Sequence, residues 1–137
     1  MSLKLINPET LGSPRGYSNG VLAPTGGQLL FIAGQIGWDE HQKLISADFV
    51  DQFGRALANV VEVVTAAGGN ADQIARLLIY VTDKNEYLAR IAEVGESYRA
   101  HMGRHYPAMA LVEIKGLVEI GAKVEIEGIA VITAHSS

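Results

Sequence analysis

The sequence contains no cysteine in 137 residues. Disulfides, thiolate nucleophiles and cysteine-ligated zinc are therefore excluded, and a reducing compartment suits the chain. Charge is also sparse. Charged residues make up 19% of the chain, and fifteen acids against eleven lysines and arginines leave a net charge of −4. A polyanion binder ordinarily shows the opposite balance, so nucleic acid is not the expected partner. Aromatic residues are few, at 7%. No apolar run approaches the ~18 residues that span a bilayer. Met1 to Asn7 carries a single lysine with no long apolar region behind it, so neither a secretory leader nor a membrane partner is expected, and a cytoplasmic setting is. What the chain does have is apolar content. At 48% apolar residues it is no disordered segment. Its length fits one domain over residues 1–137 with a core of its own.

The pattern along the chain predicts strand, strand, strand, helix, strand, helix, strand, strand. Leu3 to Ile6, then Val21 and Leu22, are short strand candidates on either side of a Pro-, Gly-, Ser- and Asn-rich loop. Leu29 to Ile36 is a compact apolar strand. Asp48 to Ala67 has helical periodicity through Phe49, Phe53, Ala56, Leu57, Val60 and Val64, with Ser46 or Asp48 as cap and Gly68-Gly69 as stop. Arg76 to Thr82 is β-rich. A second helix fits Asn85 to about Met102, capped by Asp83, with Leu88, Ile91, Val94 and Tyr98 on one stripe. Met109 to Ile114 and Lys123 to Ile132 close the pattern. Two helices cover one face of such a sheet, yet several strands are apolar on both faces, which implies burial on both sides. A second copy of the chain is the expected cover.

Glu125 and Glu127 lie two apart on a strand and so share a face. A carboxylate half-buried at a subunit interface has a raised pKa and can act as general acid or base. The alternative is an exposed strand end, or a pair neutralised by Lys123 or an arginine. His101 and His105 have a spacing that suits a metal, but Met102 stands where a zinc-helix motif has glutamate. Cations gathered at a helix C-terminus explain them better, so no metal is expected. Arg15-Gly16-Tyr17-Ser18-Asn19 can present donors to a small anion, or can be a surface turn. Trp38, the single tryptophan, can line a pocket mouth or plug a loop onto the core.

Several segments together resemble the RidA (YjgF-type) reactive intermediate deaminases. They are Gly16 to Gly20, Leu29 to Ile36, Ala56 to Val60, Ala66 to Gly69, Tyr80 to Asp83, Tyr106 to Ala108 and Val124 to Ala130. The similarity runs from about Tyr17 to Val131. It implies an α+β, chorismate mutase-like fold with a mixed sheet of about six strands and two helices on one face. It further implies a homotrimer with small-molecule clefts between subunits. The implied activity is hydrolysis of enamines and imines such as 2-aminoacrylate to a keto acid and ammonia, without cofactor or metal. By the same resemblance Tyr17 matches a pocket tyrosine and Glu125 the glutamate that positions water.

The polar half of the family pocket is altered. Met109 stands where a carboxylate-binding arginine is usual, Ala110 and Leu111 where serine and cysteine are frequent, Ala33 where serine is frequent, and Gly95 where asparagine stands. Removing an arginine from a desolvated carboxylate costs ~3–5 kcal/mol, or roughly two to four powers of ten in rate. Weak activity on 2-aminoacrylate is therefore expected, with a ligand bulkier and less polar. Arg15 is a candidate replacement cation. A deaminase-like enzyme is the first reading. A non-catalytic metabolite-binding trimer is the second. A ribonuclease or translation inhibitor, after names used in the family, is disfavoured by the charge.

Overall fold

Along β6 (Val124–Ile132) burial alternates: Val124, Ile126, Gly128 and Ala130 are buried, while Glu125, Glu127 and Ile129 are half-exposed. This period of two places one row under helices and one row on an open face. The computed structural model describes residues 2–133. β6 is central to a four-stranded sheet of order β3-β6-β4-β5, built with β3 (Gln28–Gln35), β4 (Ile74–Val81) and β5 (Ala108–Glu113). β4 and β5 are parallel; the other two pairings are antiparallel. β1 (Lys4–Ile6) and β2 (Gly20–Leu22) form a separate antiparallel pair. The expected strands are thus present in an α+β fold, divided four and two. The loop that leads into β2 meets the sheet at a bridge between Ser18 and Ala108. A turn through Gly26, at φ +86°, separates β2 from β3.

α1 (Phe49–Ala66) lies across the helix face of the sheet. Phe49, Phe53, Ala56, Leu57, Val60 and Val64 are all essentially inaccessible, as the spacing predicts. They meet Leu77, Ile79 and Val81 of β4 and Ile126 and Ala130 of β6 in one core. Asp48 caps the helix by accepting from the Asp51 amide. Gly68, at φ +87°, turns the chain away at its end.

The predicted second helix is two helices, α2 (Lys84–Ala89) and α3 (Ile91–Met102). Asp83 caps the first, as expected, accepting from the amides of Asn85 and Glu86. The break is at Arg90, with φ −122° and ψ 27°. Leu88 and Ile91, expected on the buried stripe, are more than half exposed, while Val94 and Tyr98 are buried. The reorientation at Arg90 breaks the phase of the stripe, and the Arg90 guanidinium ties both helices down. It bonds Asp48 at the start of α1 and Glu93 in α3, the latter at 2.6 Å. Arg90 hydrogen bonds hold both carboxyls below their ordinary range. A depressed folded-state pKa contributes stability above the unfolded value, ~4 for these groups, and loses it as pH falls further. In Arg90→Met the Tm deficit is expected to be fully present at neutral pH and to close below about pH 4. A deficit independent of pH would show that Arg90 acts through packing alone.

Gln52 is the polar member of the α1 core. It is fully buried, and its amide nitrogen donates to the carbonyls of Ser46 and Gly121, at 2.9 and 3.0 Å, while its oxygen accepts from the Lys123 amide at 2.8 Å. One side chain thus anchors the connections before α1 and before β6. Gln52→Leu keeps the volume but strands these backbone groups, and each unsatisfied group costs ~1–3 kcal/mol. We expect a loss of about 2–4 kcal/mol, roughly 10 °C in Tm, with faster hydrogen exchange at the Lys123 amide. An unchanged melting curve would show that water replaces the amide at no cost. Among the described residues, no helix is long and apolar enough to cross a membrane.

Candidate functional site

Ser18 fixes the loop that precedes β2. Its amide donates to the Pro107 carbonyl at 3.0 Å and its hydroxyl to the Tyr106 carbonyl at 2.5 Å. The loop is thereby tied to the residues that lead into β5. Gly16, at φ +74°, takes the left-handed turn that side chains rarely adopt. Arg15 and Tyr17, on either side of it, both line a cavity of about 410 Å³ between the start of β5 and helices α2 and α3. That size is typical of a small-molecule site.

The floor of the cavity is apolar. Met109 and Leu111 of β5 and Ile79 of β4 reach it from the sheet, Phe53 from α1, and Val94 from α3. Four of the five tyrosines converge on it: Tyr17, Tyr87, Tyr98 and Tyr106. The rings of Tyr98 and Tyr106 are stacked, with centroids 5.1 Å apart and planes 6° apart. The Tyr98 hydroxyl donates to the His105 carbonyl at 2.7 Å, and burial pushes its pKa up. The charged residues lining the cavity are Arg15 and Arg99, both exposed and so at its mouth. Among the described residues neither has a carboxylate partner.

Arg99 is a candidate site residue that the sequence pattern does not single out, since a cation near a helix C-terminus is ordinary there. The signal was Gly95, four residues earlier and therefore on the same face of α3. A Cβ on Gly95 would stand 3.1 Å from Arg99 Nη1. The missing side chain lets the guanidinium lie against the helix and reach the cavity.

Of the residues singled out by sequence, Arg15, Tyr17, Gly95, Met109 and Leu111 meet here. Ala33, Trp38, Ala110 and Glu125 do not line the cavity. Ala110 alternates with Met109 and Leu111 and so points to the open face of the sheet. Trp38 bridges to Leu44, and its carbonyl accepts from Asn59 of α1 at 3.0 Å. It secures the loop after β3 rather than the mouth. His105 Nε2 is 2.7 Å from the Ile74 carbonyl, and His101 sits in an open groove with Ser97 and Gly54, where burial lowers its pKa. Among the described residues no group of three metal-ligating side chains occurs.

Glu125 and Glu127 share the open face, as their spacing predicts, but have different partners. Glu127 accepts from the Tyr80 hydroxyl at 2.5 Å, a bond that raises the tyrosine pKa. Lys123 turns instead to Glu86, at 3.4 Å. Glu125 has no hydrogen-bond or ion-pair partner among the described residues. It lies over Gly34, where a Cβ would fall 2.6 Å from its Oε2. The β3–β6 register shifts between Ile32 and Gln35, so Ala33 and Gly34 form a bulge under the carboxylate.

Residues 9–132 match the family model described as Endoribonuclease L-PSP. The chain is 32% identical over 129 residues to a RutC family protein of Pyrococcus horikoshii, covering 93% of this chain and 96% of that one. It is 30% identical over 116 residues to the 2-iminobutanoate/2-iminopropanoate deaminase of Capra hircus, covering 84% of this chain and 79% of the other. Among solved structures, the Rid-family protein YyfB of Yersinia pestis superimposes with a TM-score of 0.85 at 30% identity, over 96% of this chain and all of that one. E. coli TdcF with bound serine superimposes with a TM-score of 0.66 at 31% identity, over 89% and 92% of the two chains. Sequence and fold agree, and the chain belongs to the RidA/YjgF family, also described as Endoribonuclease L-PSP.

Proposed function

We propose that this protein is a deaminase-type hydrolase for an imine or enamine bulkier and less polar than 2-aminoacrylate. The observation that carries this reading is the cavity: an apolar floor at Met109 and Leu111 and, among the described residues, cations at its mouth without carboxylate partners and no acid in its lining. The reaction adds water across the C=N bond of an imino acid. The tetrahedral adduct then expels ammonia and leaves the keto acid. Glu125 is the group suited to orient that water, because its carboxylate accepts hydrogen bonds and has no partner of its own. Tyr17 supplies an orienting hydroxyl.

Within one chain the sheet stands between Glu125 and the cavity. A complete site therefore takes the cavity from one copy and Glu125 from the next. The open face favours such packing: Leu29 is 63% and Phe31 71% exposed on edge strand β3, and Val112 42% on β5 at the other edge, large apolar side chains that a second copy would cover. We infer a homotrimer, and sedimentation at micromolar concentration should give three times the chain mass. A monomer there would leave Glu125 without a cavity and favour the second reading, a non-catalytic metabolite-binding protein. RNA cleavage is not favoured, since the lining offers no acid, histidine or lysine.

The test is ammonia release from imino acids generated in place from amino acids of increasing side-chain size. Large apolar side chains should be accelerated well over the uncatalysed rate, and 2-aminoacrylate only slightly. No acceleration with any of them would leave a binding protein.

A further inference from the structure

Two features of the cavity are more specific than its size. Aromatic residues are scarce in this chain, yet five of them line this one cavity: Phe53, Tyr17, Tyr87, Tyr98 and Tyr106. Two arginines stand at its mouth without carboxylate partners among the described residues. Exposed arginines are ordinarily solvated. Here Arg99 is instead folded against the bare backbone of Gly95, and Arg15 is carried by a loop that Ser18 pins to the residues before β5. Both arginines thereby stand beside an apolar, aromatic chamber.

We propose that the ligand is an aryl-bearing carboxylate, an aromatic imino or keto acid whose ring enters the tyrosine-lined chamber and whose carboxylate stays at the mouth on Arg15 and Arg99. Planar guanidinium forks match a carboxylate geometrically. Aromatic walls take a flat ring by offset stacking or edge-to-face contact. Met109 and Leu111 supply an adaptable apolar floor that no charged group of the ligand can use. The inference deepens the proposed function and rests on it for the imino-acid part. The choice of aryl and carboxylate comes from the cavity itself. Gly95 is then a specificity-determining position, because a Cβ there would stand 3.1 Å from Arg99 Nη1 and crowd the guanidinium off its place against the helix by a few tenths of an ångström, and a larger side chain by more.

The test separates binding from turnover. The full-length protein is titrated calorimetrically with phenylpyruvate, pyruvate, phenylacetamide and phenyl phosphate. Phenylpyruvate is expected to bind at least tenfold more tightly than pyruvate, which lacks the ring, and than phenylacetamide, which lacks the charge. Arg15→Gln and Arg99→Gln should each weaken phenylpyruvate about tenfold, while Arg55→Gln, outside the cavity, leaves it unchanged. Gly95→Ala offers a second readout. Alanine suits a helix better than glycine, so thermal stability should hold or rise while affinity falls. Equal affinity for pyruvate and phenylpyruvate, tighter binding of phenyl phosphate, or indifference to both arginine variants overturns the proposal. If phenylpyruvate binds as expected but the imine of phenylalanine is not hydrolysed faster, the ligand class stands and the deaminase reading fails. If aliphatic imines are hydrolysed while phenylpyruvate does not bind, the reverse holds.

Discussion

Met109→Arg is expected to exchange one ligand class for another. In the natural chain 2-aminoacrylate should turn over slowly, because so small a molecule cannot both reach the mouth cations and fill the chamber. Arginine at 109 places a guanidinium on the half-buried, cavity-facing side of β5. A small carboxylate can then sit on the floor. Charge-assisted hydrogen bonds contribute about 1.5–3 kcal/mol, so ammonia release from 2-aminoacrylate should rise by roughly one to two powers of ten. The same substitution puts a third cation into a lining that has Arg15, Arg99 and no acid. Without ligand the variant should therefore melt below the natural protein, and millimolar pyruvate should restore it, as ligand linkage requires. Pyruvate should leave the natural protein's Tm almost unchanged, and phenylpyruvate should lose affinity in the variant. Rapid turnover of 2-aminoacrylate by the natural chain would show that Arg15 and Arg99 already serve small acids, and would end the argument from the missing arginine.

The parts of this architecture set by local chemistry were legible in the sequence. α1 follows from apolar residues at helical spacing, a capping Asp48 and the Gly68-Gly69 stop. β6 follows from the apolar–acidic alternation of Val124 to Glu127 and the apolar run behind it, and the alternation also sorts Glu125 from the helix-facing row. Legibility ends where a distant partner decides. Nothing local predicts that Arg90 reaches Asp48, forty-two positions away in the chain, and so the helix break and the exposure of Leu88 were hidden. Gln52 reads as one more polar residue of a helix, yet it holds three backbone groups of two loops. The site shows the same division. The family pattern brings Tyr17, Met109 and Leu111 together because they match fixed positions of known motifs. Arg99 is hidden because its role depends on what Gly95 lacks, and Trp38 misleads because a lone aromatic marks a core plug as readily as a pocket. The four clustered tyrosines lie on a loop, two helices and the lead into β5, so only the fold reveals that they share a wall.

Glu125→Gln should reduce imine hydrolysis by at least a hundredfold without loosening the fold or the ligand. The carboxylate is half-buried on the open face and makes no hydrogen bond within the described chain, so the amide leaves no partner stranded and Tm should change little. What the amide loses is basicity toward water, and general-base catalysis contributes typically ~10²–10⁴-fold. Phenylpyruvate should still bind, because the proposed holds on it are Arg15, Arg99 and the tyrosine-lined chamber. Gly34→Ala separates position from chemistry. Its Cβ would fall 2.6, 2.7 and 2.9 Å from Glu125 Oε2, Cδ and Cγ, all side-chain atoms, so the glutamate must swing away from its Cβ outward, and Gly34 is not among the positive-φ glycines. Alanine is therefore tolerated by the backbone but pushes the carboxylate aside. An intermediate loss of rate with a native melting curve is the expected result, larger in kcat than in KM, since substrate is held elsewhere. If Glu125→Gln keeps full activity, water is activated by another group and the open face serves assembly alone. If Glu125→Gln is inactive but Gly34→Ala is not, the carboxylate acts through its charge and not through the position that the bulge gives it.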